Sequence, residues 1–207
     1  ISADGKIIAA TVLSDDNLLA TAGKWTPSTG WQVLANLGPV PSGMAPIDNS
    51  DSSVFAMSSN GKVIGGLYWL GETWRAHAMR WTSGKGMTDA GSSGRNSRIN
   101  AMNADGTVMV GWDEHPDYGN WRAAVWVNGV RTLLEDSDWF TEATAVNGNG
   151  TIIVGQTPDH ANADQMTATM WKWNGASWDK SFLGVMPKKP GKAASSMPLA
   201  VSDDGSV

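Results

Sequence analysis

One short motif recurs five times along this chain of 207 residues and constrains its fold more than any other feature. Each copy is a turn motif in which Asp or Asn precedes a glycine and a β-branched stretch follows. The motif glycines lie 44 to 56 residues apart, at Gly5, Gly61, Gly106, Gly150 and Gly205. A tryptophan lies 20 or 21 residues after each of the first four, at Trp25, Trp81, Trp126 and Trp171. Two markers that recur together indicate an internal repeat.

The local pattern of each unit predicts four short strands. Asp-Gly or Asn-Gly between apolar runs is a strong hairpin signal, because glycine adopts positive φ without a Cβ penalty. A variable loop then leads to a third strand that ends near the marker tryptophan, and a second glycine-containing turn leads to a fourth strand. The third strands are predicted at residues 20–25, 76–81, 122–126 and 167–173, and fourth strands at 31–37, 130–134 and 178–183.

Four strands in a unit of this length are typical of a β-propeller blade. We therefore predict an all-β fold, a β-propeller or propeller fragment with four complete four-stranded repeats plus the start of a fifth. A β-solenoid is the main alternative, and the length of the unit disfavours it. The whole chain is predicted to be one repeat domain, with repeats at about 1–53, 54–98, 99–142 and 143–197 and the start of the next at 198–207.

Two further expectations concern the core and the chain ends. The four marker tryptophans are expected to be buried between blades, and Trp31 and Trp178 on fourth strands are expected to be core residues as well. The only helical tendency is a turn near residues 135–140. Because copies of the motif stand at both ends, the chain is expected to be a fragment. Whether residues 199–202 pair beside the first unit, or further blades follow, stays open.

Composition excludes several classes of protein. With 41% hydrophobic residues the chain can build a core, and with no cysteine it has neither a disulfide framework nor thiolate chemistry. A net charge of -5 with only 15 Lys and Arg argues against a nucleic acid partner. No apolar run approaches 18 residues, so no membrane insertion is expected.

The repeated motif, followed by Arg-Ala-x-x-Trp or a similar segment, resembles the HAF-type extracellular repeats of bacteria. Residues 75–81 and 122–126 are the best copies of the second motif, whereas the first and fourth units lack its arginine. The resemblance covers the whole chain. It implies a β-propeller-like repeat protein at an extracellular or cell-surface location, in some cases the passenger of an autotransporter. It implies no catalytic residues.

Candidate binding residues concentrate in the loops between second and third strands, predicted at residues 67–75 and 112–122 and around Asp159, which we call the loop rim. Aromatic faces beside carboxylates suit carbohydrate binding, and an aromatic patch also suits protein docking. The alternative is that Trp–Arg pairs stack and hold long loops against the blade. The candidates are Trp69, Trp74, Trp112, Trp121, Tyr118, Asp113, Glu114, His115, Asp117, Asp159 and His160.

The sequence predicts no catalytic residue and no cofactor. It contains no Gly-x-Ser-x-Gly, P-loop or zinc-binding pattern. His77 falls within a third strand and is expected to be packed, whereas His115 and His160 lie in loops where nearby acids could share a metal. Calcium at the turn motifs is the alternative reading of their Asp and Asn residues, which turn chemistry already explains. The basic run at 188–192 is expected to be a solvated loop.

These observations favour a non-catalytic extracellular β-propeller module that binds a glycan or a cell-surface protein through the loop rim. Two alternatives stay open. One is a secreted hydrolase or lyase on a propeller scaffold, and the other is a structural spacer with no ligand. A fold of this type hosts many activities and does not by itself choose among them.

Overall fold

The computed structural model describes residues 1–13, 20–34, 52–70, 75–162, 164–187 and 194–207. In this part of the chain, strands and turns dominate, with one short 3-10 helix at His160–Asn162. The strands are β1 (Ile8–Leu13), β2 (Ala20–Thr26), β3 (Gly30–Val33), β4 (Ser52–Met57), β5 (Val63–Leu70), β6 (Arg75–Thr82), β7 (Gly86–Gly91), β8 (Ser97–Met102), β9 (Val108–Glu114), β10 (Trp121–Val127), β11 (Val130–Leu133), β12 (Glu142–Val146), β13 (Ile152–Asp159), β14 (Gln165–Trp173) and β15 (Trp178–Gly184).

The strands form four antiparallel sheets, one for each repeat, and the all-β prediction is confirmed. The second, third and fourth sheets have the strand orders β4-β5-β6-β7, β11-β10-β9-β8 and β12-β13-β14-β15. The first sheet, β1-β2-β3, has three described strands instead of the predicted four. In the second, third and fourth sheets a strand precedes the turn motif, whereas among the described residues no such strand pairs with β1.

Each copy of the turn motif forms the same hydrogen-bonded turn. The Asp or Asn before the glycine accepts the backbone N–H two residues later, at 2.9 to 3.1 Å. The five motif glycines have φ between 66° and 76°, which only glycine adopts without strain. The side-chain oxygen of the first motif residue accepts the N–H five residues later, at 2.9 to 3.0 Å. These first residues are Ser2, Ser58, Asn103, Asn147 and Ser202. Turn chemistry therefore accounts for the residue types of the motif.

The five turns are joined to one another in a turn ladder. In each of the first four motifs, the second residue donates its backbone N–H to the carbonyl oxygen of the equivalent residue in the next motif, at 2.8 to 3.1 Å. The ladder runs Ala3, Ser59, Ala104, Gly148, Asp203. The motif glycines pack tightly here as well, since a Cβ at Gly106 would lie 2.7 Å from the Val63 side chain of the preceding unit. The ladder fixes how each blade is seated on its neighbour.

The inner strands β4, β8 and β12, each the first strand of its sheet along the chain, lie side by side. We call the region where β4 contacts β8 and β8 contacts β12 the hub. Each of these inner strands pairs with the next strand through a one-residue bulge, at Phe55, Asn100 and Thr144. The repeat therefore extends to an irregularity in the backbone, and the bulge recurs at the same place in three units.

The core lies between sheets and contains the marker tryptophans to different degrees. Trp126 and Trp171 are fully buried, and Trp126 Nε1 donates to the carbonyl of Ala90 at 2.9 Å. Trp25 and Trp81 are partly buried. The prediction that Trp31 is a core residue is wrong, because this residue lies on the outer edge strand β3 and is 51% exposed.

Other predictions met different outcomes. Trp178 packs against the cluster that contains Trp171, as expected. Residues 135–140 form no helix and 199–202 form no strand. The C-terminal segment instead lies on the fourth sheet, where Thr144 Oγ1 donates to the Pro198 carbonyl at 2.6 Å. Residues 35–37 of the first predicted fourth strand lie outside the described residues. The basic run at 188–192 lies outside them as well.

Candidate ligand-binding site

Several predicted rim residues belong to strands instead of loops. Trp69 lies near the end of β5, Trp112 lies in β9 and Trp121 is the first residue of β10. In the third sheet this is because the pairing of β9 with β10 continues as far as Trp121 and Glu114. The prediction that these three tryptophans lie in loops is therefore wrong. Trp74 lies outside the described residues.

The tryptophans of the third sheet pack on one another and on an arginine. The rings of Trp112 and Trp121 are stacked, with centroids 4.5 Å apart and planes 5° apart. The Arg98 guanidinium carbon lies 5.3 Å from the centroid of Trp112 and 4.6 Å from that of Phe55. Trp112 is only 5% exposed. These contacts correspond to the stacking alternative, although the arginine comes from the inner strand β8 and not from a loop.

Most of the predicted rim acids form hydrogen bonds or ion pairs with other residues of the protein. Asp113 is fully buried, forms ion pairs with Arg122 and Arg131, and accepts the Ser93 N–H at 2.9 Å. Burial raises the pKa of Asp113, and the Ser93 hydrogen bond and the two arginines oppose that rise. This carboxylate therefore holds the loop before β8 and the strands β10 and β11 together.

Glu114 and Asp159 are also buried and have similar structural partners. Glu114 accepts the Asn96 side-chain amide at 2.9 Å, and Arg95 lies 3.5 Å away. Asp159 accepts the backbone N–H of Ala161 at 3.1 Å. Neither carboxylate is presented to a ligand.

The remaining rim candidates are accessible. Tyr118 is 68% exposed and stacks on His115, with centroids 4.6 Å apart. Asp117 is exposed, and its backbone N–H donates to the imidazole of His115 at 3.1 Å. The exposed His160 pairs with Asp164 at 2.6 Å. Across the described ranges, no three His, Cys, Asp or Glu residues are placed to hold a metal ion together.

Sequence reasoning missed two exposed aromatic residues that lie beside the loop rim, in the segment between β11 and β12. Trp139 and Phe140 are 48% and 57% exposed, and the edge of Trp139 faces His160 with centroids 6.5 Å apart. Adjacent aromatic side chains in a segment without strand alternation were the available signal.

A groove lies at the opposite end of the blades, between the third and fourth sheets. Its volume is about 740 Å³. The described lining residues are Val108, Val125, Val127, Thr132, Leu133, Leu134, Asn149, Gly150, Thr151, Trp173, Ala176, Ser177 and Trp178. The turn motif of the fourth unit and the hairpin between β14 and β15 form its walls on one side. None of these lining residues is charged.

Two tryptophans form a pair at the groove. Trp173 and Trp178 are directly opposite each other on β14 and β15, with ring centroids 5.3 Å apart and planes 57° apart. Trp173 is 39% exposed, whereas Trp178 is partly buried against the core. The amide of Asn149 and the hydroxyl of Thr151 stand on the facing turn. Apolar aromatic faces with a few polar groups are the usual composition of a small-ligand site.

Comparisons with known proteins bear on the fold. The sequence matches no family model and no curated protein. Among solved structures, TolB from Acinetobacter baumannii has a TM-score of 0.58 at 14% identity over 97% of this chain. A putative TolB from Agrobacterium tumefaciens has a TM-score of 0.57 at 12% identity over 99% of this chain.

These likenesses show the fold alone. TolB is a β-propeller protein, and the present chain is accordingly an all-β protein built of β-propeller blades. It spans 44% of the length of the first TolB and 69% of the second. Within the described residues, no helix is both long and apolar enough to cross a bilayer.

Proposed function

We propose that this chain is an extracellular β-propeller module that binds a neutral glycan in the groove between its third and fourth sheets. The observation that carries the proposal is the Trp173–Trp178 pair beside a cavity of about 740 Å³. The cavity is large enough for a ligand of a few sugar rings, since small-molecule sites commonly range from about 300 to 1,000 Å³.

The chemistry of the lining supports a sugar as the ligand. The C–H face of a pyranose ring is apolar and packs on an indole, while its hydroxyls need amide or hydroxyl partners. The indole of Trp173 supplies such a face, and Asn149, Thr151 and Ser177 supply the polar partners. The uncharged lining and the net charge of -5 favour a neutral glycan over an anionic one.

An extracellular location is part of the proposal. It is supported by the resemblance to HAF-type repeats and agrees with the absence of cysteine, which permits export without disulfide formation. The groove differs from the loop rim that the sequence favoured, and it is preferred because Trp112, Asp113 and Glu114 of the rim are buried.

A glycan array tests the proposal and separates the alternatives. The wild-type chain should bind a set of neutral glycans, and Trp173→Ala should lose that binding, because removal of the indole leaves the sugar face without its partner. Trp139→Ala is the matched control, since this tryptophan is similarly exposed but lies beside the loop rim, next to His160. It should bind as the wild type does.

Two results would contradict glycan binding in the groove. Binding that is lost in Trp139→Ala and kept in Trp173→Ala would place the ligand on the loop rim, where an exposed aromatic patch also suits a surface protein. A wild-type chain that binds no glycan on the array would favour the structural spacer. Thermal melts of all three proteins establish that each is folded.

A further inference from the structure

A serine, a histidine and an aspartate are hydrogen-bonded in series at the loop end of the second sheet. Ser92 Oγ lies 3.0 Å from His77 Nε2, and His77 Nδ1 lies 3.0 Å from Asp89 Oδ2. His77 is on β6, Asp89 is on β7, and Ser92 follows directly after β7. The antiparallel pairing of β6 with β7, which ends at the Ala78–Gly91 pair, brings the three together.

The surroundings of Asp89 keep it charged and in place. Its carboxylate also accepts the Gly91 N–H at 2.6 Å and the Tyr68 hydroxyl at 2.9 Å. Burial acts to raise the pKa of Asp89, but the hydrogen bonds from His77, Gly91 and Tyr68 outweigh it and hold that pKa below its ordinary value. Three donors on one carboxylate also fix its orientation toward the imidazole.

This arrangement determines the role of each nitrogen of His77. A carboxylate only accepts hydrogen bonds, so Nδ1 must carry the proton that points at Asp89. In the neutral imidazole, Nε2 is then the acceptor, and it faces the hydroxyl of Ser92. A serine whose hydroxyl proton is directed at an oriented imidazole is an activated nucleophile.

Ser92 is only partly buried, and the side chain of its base, His77, is sheltered. Ser92 is half-buried in the loop after β7, and the His77 side chain is 17% exposed. The Ser92 N–H donates to no acceptor in the described residues, so it can donate to an oxygen bound beside Oγ. Gly94 N–H donates to Ser92 Oγ at 3.0 Å and holds the side chain in place.

We propose that Ser92, His77 and Asp89 form a serine-nucleophile site that hydrolyses small carboxylic esters. Ser92 and His77 are the catalytic residues, and Asp89 is a positioning residue. Small esters are the proposed substrate class because Ser92 lies in the loop after β7 and is only half-buried. The site lies on a different sheet from the Trp173 groove and goes beyond glycan binding.

The reaction has two balanced stages. Ser92 Oγ forms a bond to the carbonyl carbon of the ester while its proton moves to His77 Nε2. The ester C–O bond then breaks, and the alcohol leaves with that proton. In the second stage, water gives one proton to Nε2 and its oxygen bonds to the acyl carbon. The Ser92–acyl bond breaks, the acid is released, and Nε2 returns the proton to Oγ.

Covalent labelling of the complete chain tests the nucleophile. A fluorophosphonate should form an adduct on Ser92, located by mass spectrometry of the digested protein, and the wild type should hydrolyse 4-nitrophenyl acetate. Ser92→Ala should lose the adduct and the enzyme-dependent hydrolysis. Ser93→Ala is the matched control, because the Ser93 hydroxyl donates to the Glu114 carbonyl and not to a histidine. It should keep both.

The site of the adduct in the wild type decides the question even if a variant does not fold. An adduct absent from Ser92, or found equally on Ser93, overturns the proposal. Hydrolysis that persists unchanged in a folded Ser92→Ala protein also overturns it.

Asp89→Asn tests the positioning role. The labelling rate of Ser92 should fall about 100-fold, in the range expected when a general base is disabled. Nitrogen-15 NMR of His77 should show the Nδ1-protonated tautomer in the wild type and its loss in the variant, a change that a merely structural aspartate would not produce. An unchanged tautomer and labelling rate in a folded variant would contradict the role of Asp89.

Discussion

Gly111 lies so close to Arg98 that a Cβ atom on this glycine would be 1.9 Å from the Arg98 carbonyl oxygen. The same relationship joins Gly66 to Ser53 at 1.9 Å and Gly155 to Glu142 at 2.0 Å. In each case the glycine lies opposite the bulge of an inner strand. The glycine that closes the β-branched stretch of the motif therefore makes room for a displaced backbone carbonyl.

Gly111→Ala should destabilise the protein strongly, because the clash is with backbone atoms that cannot rotate away. We expect a loss of about 3 kcal/mol in the free energy of unfolding, at the upper end of overpacking effects. Urea denaturation followed by tryptophan fluorescence measures it.

Gly84→Ala is the control for that measurement. A Cβ at Gly84 meets no heavy atom within 4 Å, and its φ is not in the left-handed region. The free energy of unfolding should change by less than about 0.5 kcal/mol. Equal effects of the two substitutions would refute the close-approach explanation.

Trp126→Ala should lower the free energy of unfolding by about 3 to 5 kcal/mol, since it removes a fully buried indole and its hydrogen bond to Ala90. Trp31→Ala, at a position that is 51% exposed, should cost less than about 1 kcal/mol. Thermal or urea unfolding of the two variants gives the comparison. A melting temperature that Trp126→Ala leaves unchanged would contradict the burial of this side chain between blades.

The aspartates of the turn motif should make stability depend on acid pH. Hydrogen bonds from the Ser206 N–H and the Ser202 hydroxyl lower the pKa of Asp204 to about 2, from an ordinary value of 3.8. The folded state therefore binds this proton less readily than the unfolded state. Its stabilising contribution is complete at about pH 5 and above and is lost as the pH falls through about 2.

A carboxyl carbon-13 NMR titration of Asp204 checks this directly, and urea unfolding at several acid pH values checks the linkage. Asp105, whose pKa the hydrogen bonds from Thr107 lower, should behave in the same sense. Asp204→Asn keeps the acceptor oxygen and should remove part of the pH dependence. An Asp204 carboxyl that titrates near 3.8 would be inconsistent with the hydrogen-bonded turn.

Glu142→Gln should destabilise the hub. Arg98 Nη2 lies 3.1 Å from Glu142 Oε1, which also accepts the Asn100 amide at 2.7 Å, and both charged side chains are less than one quarter exposed. Replacing the carboxylate weakens two charge-assisted hydrogen bonds, so we expect a loss of about 1 to 2 kcal/mol.

Lys6→Gln provides the comparison for the Arg98–Glu142 ion pair, which we call the hub pair. Lys6 and Asp4 are 3.9 Å apart with side chains 73% and 58% exposed, so this exposed pair should contribute almost nothing. Denaturation at two salt concentrations measures both variants. If Glu142→Gln and Lys6→Gln had equal effects, the hub pair would not be stabilising beyond a surface contact.

The sequence predicted the strands well because their signals are local. Turn residues and alternation mark the hairpins, and the third strands at 20–25 and 167–173 begin and end within two residues of β2 and β14. The bulges were not predictable in this way, because the extra residue is defined only by pairing with another strand. Ala10 illustrates the point: it occupies the position at which later units have Gly66 or Gly111, and no inner strand pairs with β1 among the described residues.

The binding residues were harder to predict because burial depends on contacts between units. Trp112 is buried and lies against Arg98 of another strand, whereas Trp139 is 48% exposed, and neither environment can be predicted from the residues next to it in sequence. The Ser92–His77 contact likewise depends on where β6 and β7 end, and no spacing of residues in the sequence predicts it. His77 was expected to be packed, and its side chain is only 17% exposed. The expectation did not include its hydrogen bond to Ser92.

The turn ladder has a consequence for how such a chain can lengthen. Each rung uses only main-chain atoms of two successive motifs, so a duplicated unit would bring both the donor for one side and the acceptor for the other. Side chains in the outer loops take no part in this joint. Gene duplication could thus add blades while the loop sequences diversify, without any need to redesign how adjacent copies are joined.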